Sequence, residues 1–106
     1  MAFPTDQMLD TLTIYPQAGN SSHGPTFGSS YSEAAYVEPG SRIVVDQKGQ
    51  EVVCNLWTVH GSASTVEIGD EAVYGSRRYI AIAVDTMSMG GAVHHVEVSW
   101  RSVGRG

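Results

Sequence analysis

The stretch His94-His95-Val96-Glu97-Val98-Ser99-Trp100 carries the clearest structural signal in this chain. His94, Val96, Val98 and Trp100 fall on one side of it, and His95, Glu97, Ser99 and Arg101 on the other. Successive side chains of an extended backbone point to opposite faces, so a period of two marks a half-buried strand. Upstream, residues 78–84 repeat the pattern, and Ile80, Ile82 and Val84 are predicted to point inward. Residues 51–59 place Val52, Cys54 and Leu56 on one face, with Val53, Trp57 and Val59 on the other. A strand apolar on both sides is either covered twice or meets a partner. Residues 11–15, 32–38, 42–45 and 71–74 complete the set of short strands. Turn signals separate them: Pro16, Glu38-Pro39-Gly40, Asp46-Gln47-Lys48-Gly49, Gly69-Asp70 and Gly75-Ser76.

This spacing predicts an all-β fold, a small antiparallel β-barrel with long loops, since closure removes exposed strand edges. Residues 10–103 form its single domain, after a lead at 1–9. Residues 17–31, rich in Gly, Ser and Asn, read as one long loop, and residues 86–92 as a second, Gly-rich one. The expected core is Ile14, Val52, Leu56, Ile80, Ile82, Val96 and Val98.

The chain has 106 residues, a size at which one core is affordable and a second is not. Its formal charge is −5 and only 16% of its residues are charged, a poor balance for tight, sequence-independent nucleic-acid binding. One cysteine rules out a disulfide framework within the chain or a multi-cysteine zinc site. No apolar run approaches the roughly 20 residues of a membrane helix, and the N-terminus does not read as a secretory signal. The expected setting is the cytosol, or an assembly formed there.

The chemistry-bearing residues have plainer readings than catalysis. His94 and His95 are adjacent on a strand, so one is expected inward and one outward, without a shared metal. Nothing activates Cys54, which reads as a small buried hydrophobe. Glu67, Asp70 and Glu71 flank a turn and read as solvated. Gly90-Gly91 lacks the lysine and the helix of a phosphate cradle. Arg77, Arg78 and Tyr79 with Trp57 and Trp100 raise the alternative of a small β-barrel nucleic-acid-binding module, which the negative charge weighs against. Aromatic residues are equally what protein interfaces enrich. No catalytic, cofactor or metal site is expected.

A longer pattern is more specific. Tyr36-Val37-Glu38-Pro39-Gly40-Ser41-Arg42 is followed by Val45-Asp46-Gln47-Lys48-Gly49-Gln50-Glu51-Val52-Val53, then Glu67-Ile68-Gly69-Asp70, then His94-His95-Val96-Glu97-Val98. With the lead Thr11-Leu12-Thr13-Ile14-Tyr15-Pro16, this order resembles the head-to-tail stopper (head-closure or head–tail joining) proteins of tailed bacteriophages. Cys54 in place of a Ser, and Gly75-Ser76-Arg77 in place of an Asp-Gly hairpin, depart from that pattern. The resemblance implies a non-enzymatic virion protein of the neck, assembled in the host cytoplasm. It implies a homo-oligomeric ring of about six copies, or alternatively twelve, between the portal or adaptor and the tail terminator or tail tube. Such a ring retains packaged double-stranded DNA, passes it without specific binding and offers a docking surface to the tail. The expected interface or channel-loop residues are Gly19, Asn20, His23, Phe27, Tyr31, Trp57, Met87 and Met89.

Overall fold

The computed structural model describes residues 10–21 and 24–103, so the lead at 1–9 and the end at 104–106 lie outside the described residues. It contains β1 (Asp10–Tyr15), β2 (Gln17–Ser21), β3 (Gly24–Phe27), β4 (Tyr31–Val45), β5 (Glu51–His60), β6 (Glu71–Tyr74), β7 (Arg77–Met89) and β8 (Ala92–Ser102). Six of them close into an antiparallel barrel in the order β1-β4-β5-β8-β7-β6, and β2 and β3 pair only with each other. The fold is all-β, as the alternation predicts.

The interior is filled by Leu12 and Ile14 from β1, Ala35 from β4, Leu56 from β5, Ala72 from β6, Tyr79 and Ala81 from β7, and Val96, Val98 and Trp100 from β8, with Val66 from the β5–β6 connection. Ile14, Leu56, Val96 and Val98 are core residues as expected. Ile82 is buried as expected, although outside this cluster, and Ile80 is only half-buried. Trp100 sits opposite Ala81 in the β7–β8 ladder, and the bulky indole leaves room only for a small neighbour. The inward face of β7 is therefore Tyr79 and Ala81. A register shift between Ala81 and Ala83 then inserts one residue, which returns Val84 to the core side. Val52 is half-buried and lies beyond the β5–β8 pairing, which spans Leu56 to His60.

Three expected loops or breaks are instead continuous ladder. Within the expected 17–31 loop, residues 17–21 and 24–27 are the paired strands β2 and β3, with Gly19↔Thr26, Asn20↔Pro25 and Ser21↔Gly24 across the ladder. Residues 86–89 and 92 belong to β7 and β8, so only Gly90-Gly91 remains as the turn. Their φ values of 62° and 82° suit a two-residue hairpin turn that requires positive φ at both positions. The expected break at Pro39-Gly40 is a bulge within β4, between Pro39 and Arg42, where Gly40 takes φ 138°.

The barrel is short relative to its longest strands. β5 pairs with β8 only over Leu56–His60, so the pairing of β4 with β5 runs on past it to Val45↔Glu51. β7 likewise pairs with β6 only over Arg77–Ile80, while its pairing with β8 runs to Met89↔Ala92. With β2–β3, the barrel thus carries three two-stranded arms, and its extents of 44 × 29 × 25 Å are those of an elongated body.

Candidate functional site: the arms and the barrel wall

A small barrel buries its apolar residues inside, so large exposed apolar side chains deserve an account. Among the described residues these are Tyr36, Ile43, Val45, Val53, Ile68, Met87, Met89 and Val93. Six of the eight lie on two arms. Ile43 pairs directly with Val53, and Val45 follows two residues along the same face of the β4–β5 arm. Their partners on the opposite face, Val44 and Val52, are half-buried. Met87, Met89 and Val93 sit on the β7–β8 arm around the Gly90-Gly91 turn.

The barrel wall carries a third cluster. Tyr36 meets Trp57 edge-on at 6.1 Å, and the Arg42 guanidinium lies 4.7 Å from the Trp57 ring centre. The Tyr36 hydroxyl donates to Glu38 at 3.1 Å, and Glu38 lies 3.9 Å from Arg42. The hydrogen bond to the Glu38 carboxylate raises the Tyr36 hydroxyl above its ordinary range.

The base of the β2–β3 arm is tied to the barrel. Asp70, buried, accepts the Gln17 N–H at one carboxylate oxygen and the Glu67 N–H at the other, both at 2.9 Å. Gly28 N–H donates to the Pro16 carbonyl at 2.8 Å. Arg78 places its guanidinium 4.2 Å from the Tyr15 ring centre and 5.4 Å from that of Phe27, while its Nε donates to the buried Glu71. Asp70 and Glu71 are therefore buried structural carboxylates, a correction to their reading as solvated turn residues. Only Glu67 of that trio is exposed. Arg78, one of the two arginines raised for nucleic-acid stacking, is occupied by Glu71, Tyr15 and Phe27.

Of the expected interface residues, Met87 and Met89 come together on one exposed arm. Gly19 and Asn20 lie on β2, and Phe27 ends β3 under Arg78. Tyr31 opens β4 and packs against the core, with its hydroxyl 3.5 Å from Thr65. Burial pushes that hydroxyl above its usual range. Trp57 belongs to the wall cluster, apart from the methionines. His23 lies outside the described residues. Val53 was already visible in the sequence as part of a second apolar face of its strand, whereas Ile43 and Val45, on the same face of the β4–β5 arm, were not among the expected interface residues.

The buried polar groups form a chain of their own. Trp100 Nε1–H donates to Thr58 Oγ1 at 2.7 Å, Thr58 Oγ1 lies 2.6 Å from His60 Nε2, and His60 Nδ1 lies 2.6 Å from Glu33. Ser64 donates to the same Glu33 oxygen at 2.8 Å. Burial pushes the Glu33 carboxyl up, but its bonds to His60 and Ser64 outweigh that and hold it below the ordinary value. The order hydroxyl–imidazole–carboxylate is that of a hydrolytic triad. Here Thr58 and His60 are fully buried and the hydroxyl already accepts from Trp100, so the chain works as core polar bonding.

Cys54 is buried, and burial raises its thiol, in keeping with an inert hydrophobe. The two histidines depart from the opposite-face expectation. A register shift beyond Met87 leaves His94 as an extra residue, and its Nδ1 reaches His95 Nδ1 at 2.7 Å. His95 Nε2 continues to Glu97 at 2.8 Å. Desolvation first, and the neighbouring His95 second, lower the His94 imidazole. Among the described residues no group of three or more His, Cys, Asp or Glu is arranged to hold a metal ion, and no helix is long and apolar enough to cross a membrane.

The sequence matches no protein-family model and no curated protein. Among solved structures, the chain is similar to the phage-like element PBSX protein xkdH from Bacillus subtilis. The match covers 87% of this chain and 91% of that one, with a TM-score of 0.55 and 14% identity. At that identity the likeness is one of fold.

Proposed function

We propose that this chain is a structural subunit of a tailed-phage neck, a head-to-tail stopper that sits between the portal or adaptor ring and the tail. The observation that carries the reading is the fold likeness to a phage-element protein over most of both chains. The stopper-like order of sequence elements supports it independently. The copies close into a ring of about six, with twelve as the alternative, since closed cyclic symmetry is the common solution for such subunits. The ring retains packaged DNA and presents a docking face to the tail, a role that needs no catalysis. The three arms supply what a ring subunit requires: contact surface reaching beyond the barrel without exposing its core. A net charge of −5 suits a channel through which DNA passes, since a basic lumen would hold the phosphates.

The test is genetic and microscopic. Particles assembled without this chain should fill with DNA and then lose it, or accumulate as heads and tails that do not join. Normal, infectious particles in its absence would refute the reading.

A further inference from the structure

Ile82 is buried without belonging to the core cluster. It lies, with half-buried Ile80 and with Val52 and Ile68, in an open groove of about 210 Å³ between the barrel wall and the turn of the β4–β5 arm. Lys48 and Arg101 stand on the same groove. So does Asp46, whose Oδ1 already accepts the Lys48 and Gln50 backbone N–H groups at 2.9 and 3.0 Å. The groove is mixed in character: the apolar side chains of Val52, Ile68, Ile80 and Ile82 share it with Gln47, Gln50 and the two cationic side chains.

The β7–β8 arm has the complementary chemistry. Its exposed Met87 and Met89 are long, flexible thioethers that adapt to irregular apolar clefts. Near its base, Asp85 pairs across the ladder with Glu97, so two carboxylates flank the methionines. The arm cannot reach the groove of its own barrel. Met87 follows Ile82 by five residues on the same extended strand, roughly 16 Å farther along at about 3.3 Å per residue.

We propose that the β7–β8 arm of one copy seats Met87 and Met89 in the Ile68–Ile80–Ile82 groove of a second copy, with Asp85 facing Lys48 and Arg101. Two different patches of one chain then meet head to tail, the kind of contact that builds rings rather than closed pairs. The inference deepens the neck reading by naming the contact between neighbours, and it rests on that reading only for the ring as the assembled form.

The purified full chain tests it through a short bis-maleimide cross-linker. The parent carries only buried Cys54 and serves as the blank. Met89→Cys alone and Ile68→Cys alone should stay monomeric. An equal mixture of the two should give a dimer that goes no further, and the double variant a ladder of higher oligomers. Adding Met87→Asp should cut the ladder about tenfold or more, as loss of a buried interface anchor does. Asp85→Lys should weaken it, and Lys48→Glu in the same chain should restore part of the yield. A dimer from Met89→Cys alone would mean arm-to-arm pairing and would overturn the proposal, as would absence of any ladder from the double variant at millimolar protein. Neither result depends on phage particles, so failure here is distinct from failure of the neck reading.

Discussion

Glu33 shows how much one side chain can settle in a barrel this small. Its carboxylate receives Ser64 and lies against His60, which joins it to Thr58 and Trp100 at the centre of the core. Because its folded value lies below its unfolded one, of about 4.3 for a free Glu, the contribution is complete above that value. It is lost as pH falls through the lowered folded value. Glu33→Gln should therefore flatten the acid limb of the stability curve, measured by urea unfolding from neutral pH downward. If the variant kept the parent's acid limb, Glu33 would not be its source. Ala81 makes the complementary case by size. It faces Trp100 where neither bulk nor a polar group is tolerated, so Ala81→Leu should cost about 1–3 kcal/mol by overpacking, against about 2–5 kcal/mol for Leu56→Ala by cavity formation. Equal midpoints for parent and Ala81→Leu would place β7 in the opposite phase. That phase is what the alternation of residues 78–84 hid. Ile-Ala-Ile-Ala offers apolar residues to both faces, and size pointed to the isoleucines, while the deciding fact is a cross-strand neighbour some twenty residues away.

At the scale of elements, the six barrel strands were legible, while the β2–β3 pair and the full length of the longer strands were not. Glu51–His60 and Ala92–Ser102 announce themselves by alternation over a half-buried face. The β2–β3 hairpin does not, because neither of its faces is buried, and Gly, Ser and Asn there are tolerated by a ladder that packs on little. The run past Thr86 to Met89 was hidden for the same reason: hydrogen bonding to one neighbour leaves no apolar period to read. The exposed apolar residues were legible only as side chains without a core role, Met87 and Met89 among them. Placing Val93 on the other face of the methionines' arm, opposite Ser88, and recognising Ile43, Val45 and Val53 as a second set, needs the register. The β2–β3 arm yields a further prediction. Asp70 holds Gln17 and Glu67 through one buried carboxylate, so Asp70→Ala removes two part-buried hydrogen bonds to a carboxylate at a cost of about 1–3 kcal/mol. Backbone amides of β2 and β3 should then exchange with solvent faster than those of β5 and β8, read by hydrogen–deuterium exchange. Uniform acceleration across all strands would show that Asp70 stabilises the barrel as a whole rather than the base of the arm.

For the whole molecule, the barrel and the arms divide the work. The core cluster draws on all six barrel strands and takes nothing from β2 or β3. The arms instead enlarge the exposed surface, which in the proposed neck is where copies and neighbouring rings are met. Removing residues 20–26 should therefore leave a folded barrel, since the excised segment contributes no core residue and the tether at Gln17, Pro16 and Gly28 remains. Circular dichroism and the melting midpoint should stay close to the parent's. In the proposed neck the same deletion removes a projecting, uncharged arm that acts by bulk, since it carries no Lys or Arg to grip DNA. Particles built with the shortened chain should assemble the ring yet leak DNA or fail to join tails, counted by electron microscopy and by nuclease sensitivity of the packaged genome. If those particles kept their DNA and joined tails at the normal frequency, the β2–β3 arm would be a passive connector. The contacts of the neck would then fall to the β4–β5 and β7–β8 arms alone.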